Sequence, residues 1–524
     1  MTLTTDQEKR LTWALLIWAL VLHVAFFVSA GALWRDEANS IQQASLASWR
    51  ALWNSLEDDS FPILYPALVR LFSSPSTSDT GLRVLGLLTG LSILFSLWFV
   101  ARLMAARFPV VALAFAAVSP GLIVEGDSVR PYGVSILCLL WTFGLLGKYL
   151  VRPAPIFLVL ATILAVLTVQ ISYTNSLFVG LFAFCASCVL VAGGQASRLW
   201  GIVVPPAVAA LSLLPYVPVL QRAQDWVTIV RDRVDWGQFA RAGIQAYGPA
   251  LIFLALGSLA FAAWAVYCLA NKERAKRPGS PVVLYAALVA GFGVLMQAAF
   301  ILAFRLPAFP RYLLPCVVLA GIGCEMMLRA NLPRLRMLVV IAVVVSTLWP
   351  AWTAVRLRRT NVDAVTQVLN EQARPEDLIV ISPWFLHVSF QRYYRGPAPW
   401  ITVPDIEHSP ITRYRLIKQA MIFDDGGTKV AEKIRHTTAS GGKIWYVSQR
   451  LVNDIQEAPT PPAVSAHPDG ADYVRFRGFW ERDIQYRLEN RCVREQISLP
   501  DAQSIWQGER LILTRWSGRV ESKK

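Results

Sequence analysis

Two adjacent carboxylates, Asp36 and Glu37, stand beside an arginine where the first long apolar run ends, in Trp34-Arg35-Asp36-Glu37-Ala38-Asn39-Ser40. A carboxylate at a membrane edge can take a proton from a hydroxyl or hold a divalent cation. Further along, Glu125-Gly126-Asp127-Ser128-Val129-Arg130-Pro131-Tyr132 puts two more acids and an arginine into one short turn, and Arg311 opens a later apolar run. An arginine at membrane depth is costly unless it is paired or meets an anion, and its planar fork of donors matches a phosphate. The residue types therefore suit general-base chemistry beside a phosphate clamp. Each stretch also has a plainer reading: an acidic pair capping a helix end, a solvated turn, an arginine among headgroups. What separates the two is whether the stretches fall on one side of a membrane.

The elements that must position them are membrane spans. The chain has 524 residues, of which 55% are hydrophobic and 16% charged, with a mean hydropathy of +0.44. A soluble protein would carry about a quarter charged residues. A span needs roughly 20 mainly apolar residues, and eleven runs qualify, at 12–33, 82–101, 109–124, 132–150, 155–171, 176–193, 200–220, 248–270, 281–304, 312–328 and 337–354. If they alternate, Arg102 and Arg107, Lys148 and Arg152, Arg198, Lys272 to Arg277, and Arg329, Arg334 and Arg336 share one side. By the positive-inside rule that side is cytoplasmic, and so is the N-terminus. The Asp36 loop, the 125–130 turn, the Tyr173-Thr174-Asn175 turn, the 221–247 loop, the 305–311 turn and everything after 355 then lie outside. The net charge of +15 is accounted for by these loops and by anionic headgroups, so no nucleic-acid partner is expected. The first run lacks a following small-residue cleavage site and reads as an uncleaved anchor. Six of the seven cysteines lie in apolar runs and read as packing residues; Cys492 stands alone, and no disulfide is expected. The five histidines show no metal-ligand spacing, and His23, inside the first span, reads as a packed or lipid-facing residue.

Two domains are expected: a membrane domain at 1–355 with an outer loop at 34–81, and a soluble α/β domain at 356–524. Within the loop, Ile41, Ala44 and Leu52 suggest a segment lying on the membrane surface. Pro62 and Pro66 favour a short, kinked or re-entrant helix over a full span. Beyond 355, residues 377–382 and 443–448 read as buried strands, and 362–371 and 425–436 as helices. The Pro/Ala-rich stretch 458–468 reads as a loop, and 472–516 reads as more strand-like.

Four ordered motifs carry a resemblance: Asp36-Glu37 after the first span, Phe61-Pro62-Ile63-Leu64-Tyr65, Arg130-Pro131-Tyr132, and Arg311-Tyr312-Leu313-Leu314-Pro315. Together they resemble the GT-C glycosyltransferases of the protein mannosyltransferase and aminoarabinose transferase type, over roughly residues 10–355. The resemblance implies eleven to thirteen membrane helices, an outward-facing site, a polyprenyl-phosphate sugar donor and inversion at the anomeric carbon. It implies Asp36 as the catalytic base or metal-binding acid, supported by Glu37, and Arg130 and Arg311 as holders of the donor phosphate. Asp127, Asp59, Tyr65, Tyr132 and Tyr312 are expected in support. No cofactor is required; a divalent cation such as magnesium or manganese would sit at Asp36 and Asp127. The chain departs from the pattern in two places. Asp127-Ser128-Val129 replaces the Gln-Glu-Ala that many relatives place before Arg-Pro-Tyr, and Phe61 replaces a histidine.

The chemistry coheres without the family. An oxocarbenium-like sugar is approached by a deprotonated acceptor hydroxyl on one face, while arginines on the other stabilise the departing phosphate. The acceptor would be a glycolipid, lipopolysaccharide, another glycan or a protein, at the periplasmic face of a bacterial inner membrane. The alternative is a transporter or flippase of a lipid-linked or anionic solute, which should show matched halves, broken helices at mid-membrane and charges deep within spans. No halves match in this sequence. A third reading is a structural partner with a degenerate site.

Overall fold

The computed structural model describes residues 4–73, 77–104, 106, 108–231, 236–271, 273, 279–423, 426–452, 455, 457–500 and 503–518. It divides into two compact units. The first comprises residues 1–29, 59–219 and 234–356, and the second residues 30–58, 220–233 and 357–524. The last segment of the second unit begins at Leu357. The sequence reading, however, grouped the whole 34–81 loop with the membrane domain, whereas 30–58 folds with the C-terminal segment.

The first unit is a helical bundle. Among the described residues, nine helices are long and apolar enough to cross a membrane, from Thr5–Ser29 to Pro333–Val355, and Pro155–Ile171 adds a shorter apolar one. The chain is thus a polytopic helical membrane protein. The run expected as one span at 109–124 is instead two short helices, Val110–Ala117 and Pro120–Gly126. Ser119 breaks it: its hydroxyl caps the second helix by accepting from Leu122 N–H at 3.1 Å, and Pro120 takes the first helical position, where its missing N–H costs nothing. The expected 221–247 loop contains two helices, Val217–Val227 and Trp236–Tyr247. Of the basic residues expected in loops, Arg107, Lys272, Arg274, Lys276 and Arg277 lie outside the described residues. Arg336 is no loop residue: it opens the Arg336–Val355 helix, is buried, and pairs with Glu8 and, at 2.7 Å, with Glu325. Those carboxylates offset the large cost of burying a guanidinium.

The second unit is an α/β fold around a five-stranded sheet: β1 (Leu378–Ser382), β2 (Trp400–Thr402), β3 (Ile444–Ser448), β4 (Cys492–Gln496) and β5 (Ile512–Gly518), in the order β2-β1-β3-β5-β4. β1 is parallel to both β2 and β3, while β5 is antiparallel to β3 and β4. All five residues of β1 and of β3 are buried, so their continuous apolar runs in sequence follow from being covered on both faces. The helix expected at 425–436 is Gly426–Ala439; its expected first residue, Asp425, lies outside the described residues. The strand-like reading of 472–516 is corrected over its first half. Gly470–Arg491 is a 22-residue helix, capped by Asp469 and burying Phe476, Phe479, Trp480, Ile484 and Leu488 on one face. That spacing is helical, not alternating.

Candidate functional site

The acidic pair opens a short helix, Arg35–Ala44. The sequence folds this way because two of the N–H groups at its start, which have no backbone partner inside the helix, find carboxylates. Trp34 N–H donates to Glu37 Oε2 at 3.2 Å, and Arg35 N–H donates to both oxygens of Glu509 at 2.9 and 3.1 Å. Negative charge is favourable at this end of a helix. The helix is pinned at its sides as well: Gln42 donates to Val388 O at 2.8 Å and Asn39 Oδ1 accepts from Thr412 N–H at 2.9 Å. Ile41, Ala44 and Leu52 are buried within the protein; the surface-lying segment expected here packs against its own unit. Glu37 is fully buried, in keeping with its cap to Trp34. The Asp36 side chain keeps 17% of its surface exposed and accepts from Arg35 Nε at 3.0 Å.

Behind this helix lies a stack that sequence reading missed. The Arg359 guanidinium sits 4.6 Å from the ring of Trp34 and 4.6 Å from that of Trp506. Arg359 N–H donates to Ala30 O at 2.9 Å. Glu509 is buried and also accepts from Ser389 Oγ at 3.0 Å. Burial pushes its carboxyl up to about 7, against the opposing pull of Arg35. Nothing in its sequence neighbourhood marks it, because its partners are hundreds of residues away.

The first unit holds the arginines. Arg130 caps the Pro131–Val151 helix, its side chain 7% exposed and 4.0 Å from Asp59 Oδ1. Its guanidinium lies 4.9 Å from the Phe61 ring and 5.7 Å from the Tyr132 ring. Arg311 belongs to the first turn of Pro310–Asn331 and is also 5.7 Å from the Tyr132 ring. It lies 5.7 Å from Tyr312 as well, and 4.2 Å from Phe309. Two guanidinium groups from residues 181 positions apart in sequence thus share one tyrosine ring. Cation–π attraction holds each in place while leaving its N–H fork able to face an anion. A cavity of about 130 Å³ borders Phe61, Tyr132, Arg311 and Tyr312; a second of about 90 Å³ borders Arg130 and Tyr65. Asp59, Tyr65, Tyr132 and Tyr312 are therefore gathered with the two arginines.

Asp127 is not part of that group. Its carboxylate is buried and accepts from His23 Nδ1 at 2.7 and 2.8 Å. Close packing of the helices makes room for the pair: a Cβ on Gly90 would come within 1.8 Å of Asp127 Oδ1. The part expected of Asp127 in support or in metal binding does not match this engagement, and the reading of His23 as merely packed or lipid-facing misses its pairing. Among the described residues, no group of three or more His, Cys, Asp and Glu is placed to hold a metal ion. Asp36 and Glu37 belong to the second unit; the remaining expected site residues belong to the first.

No family model matches the sequence, and no curated protein matches it either. Solved structures similar to the chain include an Archaeoglobus fulgidus oligosaccharyltransferase in complex with Zn and sulfate, at a TM-score of 0.47 and 12% identity over 83% of this chain and 67% of that one. The same protein tethered to an acceptor peptide gives 0.49 and 10% over 83% and 69%. ArnT from Cupriavidus metallidurans bound to undecaprenyl phosphate gives 0.43 and 14% over 83% and 93%.

Proposed function

We propose that this chain is a membrane glycosyltransferase that moves a sugar from a polyprenyl-phosphate donor to a hydroxyl of a glycolipid, glycan or protein, with inversion, at the periplasmic face of a bacterial inner membrane. The observation that carries the reading is the convergence of Arg130 and Arg311 on Tyr132 beside a cavity. Two forked cations at the starts of two helices suit a lipid phosphate, whose charge grows as the glycosidic bond breaks. Asp36, partly exposed at the start of its helix, is the base that takes the acceptor proton. Glu37 holds the turn. The leaving phosphate is already anionic and needs no strong acid.

The experiment compares the purified protein with Asp36→Asn in a membrane lipid extract, following polyprenyl-phosphate sugars by mass spectrometry. One lipid-linked sugar should disappear with the wild type, and its turnover should fall by about 10²–10⁴-fold in the variant. Full turnover by Asp36→Asn would remove the base assignment. Transport of a lipid-linked solute is the second reading, and one observation favours it: the His23–Asp127 pair is buried among membrane helices, where titratable groups often mark proton paths. Movement of the lipid across vesicle membranes without cleavage of the sugar would decide for it.

A further inference from the structure

The 130 Å³ cavity beside Arg311 has a chemistry of its own. Its volume admits several water molecules, or one sugar ring. Phe61, Tyr132 and Tyr312 supply aromatic walls, and Arg311 is the only charged residue among its described lining. Part of its polar lining is already engaged. Asn175 donates to Ser135 Oγ and to Thr168 O, both at 2.8 Å, and the hydroxyls of Ser172 and Thr174 bond each other at 3.0 Å. Gln297 differs. It is 3% exposed, it lines the cavity, and its amide oxygen accepts no hydrogen bond within the described chain. A buried acceptor left unpaired is destabilising, and it calls for a donor from outside the chain.

We infer that this cavity receives the glycosyl ring of the donor, that Gln297 accepts a hydrogen bond from one of its hydroxyls, and that the pocket selects an uncharged sugar over an amino sugar. The inference rests on the glycosyltransferase reading above. Aromatic faces cover the apolar C–H face of a pyranose, and Arg311 takes the phosphate to which the ring is attached. An ammonium in place of a hydroxyl would be buried near a guanidinium with no carboxylate among the described lining residues to pair with it, an arrangement that costs far more than a missing hydrogen bond. Asp59, the acid next to the lining residue Ser60, faces Arg130 instead.

The test is a binding measurement on the full-length protein in lipid nanodiscs with three probes: bare polyprenyl phosphate, a polyprenyl-phosphate hexose and a polyprenyl-phosphate amino sugar. The hexose lipid should bind about tenfold tighter than either of the others. Gln297→Leu should erase its advantage over the bare lipid, and Gln297→Glu, which places a carboxylate in the pocket, should move the preference toward the amino sugar. Equal affinities for all three probes, or a wild-type preference for the amino sugar, would overturn the inference while leaving the donor reading intact, provided Arg311→Ala still weakens binding of the bare lipid. If no polyprenyl phosphate binds, the donor reading falls and the inference with it.

Discussion

At the scale of single residues, what matters is which charges share an environment. Arg130 and Arg311 share the Tyr132 ring, and this makes a quantitative prediction. If both hold the same phosphate, each alanine variant should lose about 1.5–3 kcal/mol of donor binding, as for hydrogen bonds to charged groups, and the double variant should lose clearly less than the sum. Strict additivity in a four-protein binding comparison would mean that they serve separate anions. Glu509 makes a second. Its carboxyl is raised from 4.5 to about 7 by burial, so the folded unit binds the proton more tightly than the unfolded chain does. The stabilisation this brings is fully present below pH 4.5 and is lost as pH rises through about 7. Its size is about 3 kcal/mol at most. Glu509→Gln, which cannot titrate, should flatten that part of the pH dependence of thermal unfolding; an unchanged slope would refute the assignment.

Elements position these residues by close approach. Gly90 lets the Asp79–Leu103 helix lie against the His23–Asp127 pair, where a Cβ would sit 2.8 Å from His23 Cε1 and closer still to the carboxylate. Gly90→Ala should therefore destabilise the bundle by about 1–3 kcal/mol through overpacking, read as a lowered unfolding midpoint in detergent. Gly180→Ala, where an added Cβ meets nothing within 4 Å, is the matched control and should be neutral or slightly stabilising, since alanine suits a helix better than glycine. The Arg35–Ala44 helix is held the opposite way. Its ten residues are too few to be stable alone, and it persists because Glu509, Val388 and Thr412 satisfy its end and flank.

For the whole molecule, the second unit is assembled from three separated segments. Residues 30–58 supply Trp34 and the Arg35 N–H to the C-terminal part, and residues 220–233 supply Ile229 to its core. A fragment of residues 357–524 would leave Glu509 without Arg35 and Arg359 without Trp34. It should give weak tertiary signals and little hydrogen-exchange protection, and adding residues 30–58 and 220–233 by short linkers should restore both. A native-like fragment without them would show that these segments are accessories.

The sequence alone determined the class, because long apolar runs and basic loops obey local rules of transfer free energy. It also determined β1 and β3, whose residues are buried on both faces and so are apolar without a break. It made the acids and arginines visible as types, and Tyr132 and Tyr312 visible beside the arginines in the chain. The helical spacing of Phe476, Phe479, Trp480, Ile484 and Leu488 was legible too, though the stretch reads at first as strand. What tertiary structure decided is pairing. Asp127 looks like a site acid in its turn but faces His23, 104 positions earlier, and Glu509 looks like a surface acid but caps the helix of Asp36, 474 positions from its bonding partner Arg35. Burial makes such pairs strong, and only the folded chain fixes which groups are buried together, since no periodicity or local propensity records a partner so far away.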